Sequence, residues 1–160
     1  MNLYHGSYTQ ISKPRIITQV RLLDFGTGFY TTTDKEQAEK FTGKFKNLRK
    51  NRIINIYEYD EIAAKNTLSI LEFTQADTEW LRYVVANRSG FGKDNDFDIV
   101  IGPVANDRVY DVVESFELGD YSEEEAIQRL LTFRLTDQVV FKTEKSLLHL
   151  KYLEHEQIEE

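Results

Sequence analysis

The sequence predicts a single α+β domain, and three observations carry that reading. At 160 residues the chain is long enough for one substantial core and short for two. Ten Phe, nine Tyr and one Trp, within a hydrophobic share of 41%, belong to a folded globular chain rather than a disordered one. Segments of two-residue period and segments of helical period are mixed without a regular βαβ rhythm, which disfavours a doubly wound parallel sheet. The domain is expected to cover residues 1–153, with 154–160 an acidic, frayed tail.

The elements follow in order. Residues 2–5 read as a short strand leading into Gly6. Pro14 breaks the chain soon after, and 16–23 fit either a short strand or an irregular loop. Residues 24–28 form a turn, since Gly26 and Gly28 open backbone angles closed to other residues. Residues 29–32 are aromatic and β-branched and read as a strand. Thr33 or Asp34 then caps a helix reaching about Phe41, with Ala38 and Phe41 on one face. Residues 52–59 alternate as a strand, and 67–73 read as another. Residues 75–87 place Trp80, Leu81, Val84 and Val85 at core spacing on a helix. A polar loop at 90–95 precedes a buried strand at 98–101, ended by Gly102 and Pro103. Helices are predicted over 107–116 and 122–131, the second opened by a Ser122–Glu125 capping box. A strand at 138–141 and a short helix at 143–150 complete the domain.

Composition excludes several chemistries. The chain has no cysteine, which removes disulfides and thiolate-bound metals. Its three histidines lie far apart, and the acidic run around Asp94, Asp96 and Asp98 lacks the glycine and terminal glutamate of a calcium loop. No apolar run approaches the roughly 20 residues of a membrane span. No basic stretch followed by an apolar one opens the chain, so a cytoplasmic protein is expected. The net charge of −7 argues against broad nucleic-acid binding through phosphate neutralisation. One local basic patch stands out: Lys40, Lys44, Lys46, Arg49, Lys50 and Arg52, interleaved with Phe41 and Phe45. Its simplest reading is a solvated helix end and loop.

Four segments carry candidate chemistry, each beside a plainer reading. His5-Gly6-Ser7 offers a ring nitrogen for a ribose hydroxyl, an uncrowded backbone for a carboxamide, and a hydroxyl; a lone histidine is more often a satisfied core group. Gly26-x-Gly28-Phe29-Tyr30 lacks the spacing of a dinucleotide fingerprint or a phosphate loop. It is either an ordinary turn or a place where a ligand reaches the Tyr30 ring past Gly28. Phe41, eleven residues beyond Tyr30 and across one helix, is either a second ring for a planar ligand or the core face of that helix. Asp137 and Gln138 enter a strand pointing to opposite faces, and one of them faces a cleft or neither does.

The order of these pieces resembles the ADP-ribosyltransferase superfamily, in its His-Tyr-Glu branch with diphtheria toxin and the poly(ADP-ribose) polymerases. The chain is more similar still to a small bacterial toxin-like group. That group carries Tyr-His-Gly-Ser, Asp-Phe-Gly-x-Gly-Phe-Tyr-Thr-Thr, Val-Ala-Asn-Arg (here Val85 to Arg88) and Gly-Pro-Val-Ala-Asn-Asp (here Gly102 to Asp107). The resemblance spans about residues 3–152.

It implies a split mixed sheet with flanking helices, clasping NAD as substrate. His5 binds the adenosine-side ribose, Gly6 holds the nicotinamide amide through its backbone beside Ser7, and Tyr30 and Phe41 stack on the nicotinamide. Gln138 stands where the family has its catalytic glutamate, and Ala38 where polymerases tend to have a serine. A glutamine keeps the hydrogen bond to the ribose 2′-OH but supplies neither charge nor base. The function implied is mono-ADP-ribosyl transfer to an unknown acceptor, protein or nucleic acid. Some relatives lie beside a small partner, which implies the toxin of a toxin–antitoxin pair with an antitoxin. The alternative is an NAD- or ADP-ribose-binding module with weak or no catalysis. RNA 2′-phosphotransfer and a purely structural interaction domain are more distant alternatives.

Overall fold

The computed structural model describes residues 1–17, 23–90, 97–105, 107–133 and 135–159. Among the described residues seven strands form one mixed sheet: β1 (Asn2–Ser7), β2 (Phe29–Thr32), β3 (Ile53–Tyr59), β4 (Ile70–Glu72), β5 (Ile99–Pro103), β6 (Asp137–Phe141) and β7 (Leu150–Gln157). Their order across the sheet is β4-β5-β6-β2-β1-β3-β7. Only β4 and β5 run parallel; every other neighbouring pair is antiparallel. Among the described residues the helices are α1 (Lys35–Asn47), α2 (Glu61–Thr67), α3 (Thr78–Arg88), α4 (Asp107–Glu117), α5 (Glu123–Leu130) and α6 (Glu144–Leu147). The α+β class expected from the sequence holds.

Helix starts are chemically simple. Asp34, Asp60, Asp77, Ser122 and Thr143 each accept a hydrogen bond from a first-turn backbone N–H, satisfying a donor the helix leaves orphaned.

Side-chain alternation divides the core between the two sheet faces. One face carries a continuous cluster of Leu3, Phe29, Tyr57, Val139, Phe141 and their neighbours. The other face carries two. Ala38 of α1 packs with Ile54, Ile56 and Tyr4 over β1 and β3. Trp80, Leu81, Val84, Val109, Val113, Ala126 and Leu130 from α3, α4 and α5 pack with Val100 and Val140 over β5 and β6. Between these two helix-covered regions lies a seam, where β1 and β2 part.

Several boundaries differ from the sequence reading. Helix α1 continues past Thr42 and Gly43 to Asn47, and its buried face is Ala38 and Thr42 rather than Phe41. Residues 61–67 form α2, so the strand expected at 67–73 shrinks to β4. β5 extends through Gly102 to Pro103; proline fits there because the last residue of a strand needs no ladder N–H. The expected helix at 143–150 is only α6, followed by β7. The frayed tail is wrong up to Gln157. β7 pairs with β3 along its length, from Tyr59–Leu150 to Ile53–Gln157. Its charges are those of an edge strand facing water, which blunt further pairing without preventing this one. Residues 18–22 and 91–96, within the ambiguous segment and the polar loop, lie outside the described residues.

Candidate functional site

The seam exists because the sheet is divided at its centre. β1 is registered with β3 at six positions, Asn2 through Ser7. β2 is registered with β6 at four, Phe29 through Thr32. Between β1 and β2 there is one registered pair, Tyr4–Thr32. Past that pair, β1 runs on through His5, Gly6 and Ser7 without a ladder to β2. Every second residue there turns its N–H and C=O toward the opening.

The His5 ring crosses the opening. Its Nδ1 lies 2.5 Å from the Tyr30 carbonyl oxygen, and its ring stacks on Phe29 with centroids 4.3 Å apart. A carbonyl only accepts, so Nδ1 carries the proton and donates. Desolvation by burial pushes the His5 pKa down; the Tyr30 hydrogen bond opposes this, and the positive charge of Lys44 adds to the lowering. The ring is therefore neutral near pH 7, which leaves Nε2 an acceptor, the form needed to take a hydrogen bond from a hydroxyl.

Counting back from Tyr4–Thr32, Gly6 and Tyr30 lie opposite each other, on the seam face of the sheet. Gly6 is tightly covered by α1. A Cβ there would stand 2.7 Å from the Ala38 carbonyl oxygen, 2.8 Å from Thr42 Cγ2 and 3.2 Å from Phe41 Cδ1. The glycine is thus explained by helix packing, and the same packing lays the Phe41 ring beside it. Phe41 is 48% exposed, so the core reading of this residue does not hold. Ser7 is buried, and its Oγ accepts from the Thr9 N–H at 3.3 Å.

Tyr30 is fixed at its far end. Its hydroxyl donates to Gly26 O at 2.6 Å and accepts from the Phe25 N–H at 3.0 Å. The turn it grips is held elsewhere too. Gly26 takes a left-handed φ of 77°. Lys142, buried, donates its ammonium to the Phe25 carbonyl. Asp24 pairs with Arg88 at 3.6 Å, and the Arg88 guanidinium lies 3.8 Å from the Tyr110 ring centroid. Gly28 serves strand packing: a Cβ there would stand 2.6 Å from Val140 Cγ1 and 2.9 Å from the Phe141 carbonyl oxygen.

Gln138 is buried on β6, opposite Thr32 on one side and Gly102 on the other. Alternation sets it on the same face as Tyr30, Gly6 and Val140. Its Nε2 reaches the Pro103 carbonyl oxygen only at 3.5 Å, while the Trp80 indole donates to that oxygen at 3.1 Å. Asp137, its exposed neighbour, has its pKa raised by desolvation first and by Glu72 second.

Gly6, Tyr30 and Gln138 thus share the seam face and Phe41 borders it, while His5 bridges the opening from the neighbouring alternation. Ser7 and Gly28 have structural roles. Sequence reasoning missed Phe29 under His5, the Asp24–Arg88 tie and the Lys142 anchor. Only the last is detectable in principle, as a lysine directly following the apolar run at 139–141. Two surface hollows, of about 400 Å³ beside α4 and α5 and about 610 Å³ at the end of β3 and the start of α2, contain none of these residues. Among the described residues no group of His, Cys, Asp and Glu could hold a metal ion, and no helix is long and apolar enough to cross a membrane.

Over residues 1–152 the chain matches the model of a family described as "Protein of unknown function (DUF3990)", and it belongs to that family. No curated protein and no solved structure matches it.

Proposed function

We propose that this DUF3990 protein binds NAD at the β1–β2 seam and transfers its ADP-ribose to an acceptor, releasing nicotinamide. The observation that carries the reading is the division of the sheet past Tyr4–Thr32: Tyr30 and Gly6 border the opening on one face, His5 spans it to the Tyr30 carbonyl from the other, and Gln138 lies beside Thr32 at its closed end. A sheet divided at its centre is compatible with the split sheet that the sequence resemblance implies, and it supports the reading. Neutral His5 suits a ribose hydroxyl. The half-exposed Phe41 ring and the Tyr30 ring suit a flat aromatic amide, each stacked contact contributing about 1 kcal/mol.

The bond that breaks joins nicotinamide to ribose C1′. Nicotinamide leaves with the electron pair, and C1′ takes on oxocarbenium character. An acceptor nucleophile then bonds to C1′ and gives up its proton. Gln138 offers the ribose 2′-OH a hydrogen bond but no negative charge, so the developing cation is stabilised weakly. Losing one such electrostatic contact costs on the order of 10²–10³ in rate. The resemblance adds a small neutralising partner protein to this reading.

Gln138 also favours a second reading, an NAD-binding module without turnover. Nicotinamide release from NAD separates the two. In the transferase reading the native protein releases nicotinamide, Gln138→Ala abolishes release, and Gln138→Glu raises it by about 10²–10³. Release by neither the native protein nor Gln138→Glu contradicts it. Binding without release by the native protein selects the module.

A further inference from the structure

At the mouth of the seam three rings run in a chain. Tyr8 meets Phe45 edge-on with centroids 5.4 Å apart, and Phe45 meets Phe41 in the same way at 6.2 Å. Each end of the chain carries an ammonium. Lys50 Nζ lies 4.1 Å from the Tyr8 centroid, and Lys44 Nζ lies 3.8 Å from that of Phe41. Tyr8 is 45% exposed and Phe41 48%.

The backbone builds this arrangement. After α1 the chain reverses at Arg49, in a left-handed φ of 55°. The Leu48 and Lys50 N–H groups both return to the Phe45 carbonyl, which brings Lys50 back over the rings. Charge follows the same stretch. From Lys40 to Tyr57 there are six cations and no carboxylate, in a chain of net charge −7. The patch adjoins the seam directly: Tyr8 follows Ser7, Phe41 lies against Gly6, and the Lys44 charge is felt at His5.

We infer that this patch docks single-stranded nucleic acid, with bases on the Tyr8 and Phe45 rings, Phe41 marking its border with the seam, and phosphates on the cations. Exposed rings interleaved with cations are the platform that unpaired strands require, since every base has a flat face. A duplex keeps its faces stacked inside and leaves the rings without partners. An acidic peptide satisfies the cations but not the rings. The acidic remainder of the surface repels phosphate elsewhere, and screening over about 8 Å keeps that repulsion from cancelling the patch. A strand held here stands at the seam as the ADP-ribose acceptor. That last step rests on the proposed transferase function; the docking does not.

Fluorescence anisotropy with short labelled oligonucleotides, one of DNA and one of RNA, tests the inference, and the tighter arm identifies the source. Binding is expected to weaken with salt at a log–log slope of about −2, as for roughly three phosphates neutralised on a single strand. Tyr8→Ala with Lys50→Gln is expected to weaken it about tenfold or more. The circular dichroism spectrum and melting temperature of the same double variant, close to the native values, show that the fold is intact. No binding of either strand overturns the inference. So do equal binding of a duplex, binding unchanged in the variant, and tighter binding of a polyglutamate peptide. NAD binding without oligonucleotide binding sinks the docking alone. Oligonucleotide binding without NAD binding sinks the transferase reading and leaves the docking standing.

Discussion

His5 is neutral because burial between β1 and β2 makes charging it costly and the Lys44 charge adds to that cost, which together outweigh the opposing hydrogen bond from Nδ1 to the Tyr30 carbonyl. Its folded pKa lies below the ordinary value of 6.5, so over the interval between the two the unfolded chain binds more protons than the native one. Stability contributed by neutral His5 is therefore fully present above the unfolded value and is lost as pH falls through the folded one. Urea unfolding between about pH 7 and about pH 5.5 should show stability falling in the native protein, before most carboxylates titrate. His5→Gln should flatten that dependence; an equally steep fall in the variant would exclude His5 as its source. The histidine and its glycine were legible as a candidate pair from sequence. What no sequence pattern conveyed is that Phe29 lies under the ring and that Gly6 is demanded by α1.

Elements were legible where pattern and surroundings agree. β2 has the expected ends, and the Asp and Ser caps mark helices directly, but α1 was read too short. Thr42 and Gly43 resemble a stop; in the fold Thr42 is buried, its hydroxyl donating to the Glu39 carbonyl, while Gly43 faces open space. β7 was misread for the opposite reason. Its charges argue for fraying, but β3 presents an open edge whose backbone groups need partners. Tyr152 supplies an anchor, packing edge-on to Tyr57 at 5.9 Å with its hydroxyl accepting from Gln10. Truncation after His149 removes three half-buried side chains, Leu150, Tyr152 and Ile158, and should therefore cost about 3 kcal/mol or more. The loss should be accompanied by aggregation through the exposed β3 edge. Chemical denaturation and light scattering measure the two effects; an unchanged midpoint would restore the view of this segment as a passive tail.

At the scale of the whole molecule the seam is a consequence of layering. One sheet face has a continuous core beneath all the central strands. The other is covered twice, by α1 on one side and by α3 to α5 on the other. Tyr30 of β2 joins the α3–α5 cluster while α1 packs on β1 at Gly6, and the ladder gives way between those two strands. The motifs quoted from sequence divide accordingly. The Asp24 turn and Arg88 brace one another, and Gly102-Pro103 backs Gln138, while His5, Tyr30 and Phe41 border the opening. Sequence order predicted that these segments belong together; the division of labour among them depends on which strands fail to pair, and a single chain's residue pattern does not encode that.

Occupancy of this seam by NAD is measured by calorimetric titration. The native protein should bind NAD saturably, and Phe41→Ala, at a half-exposed position, should bind it about three- to tenfold more weakly. No saturable heat at millimolar NAD, or equal affinity in the native protein and Phe41→Ala, would contradict it.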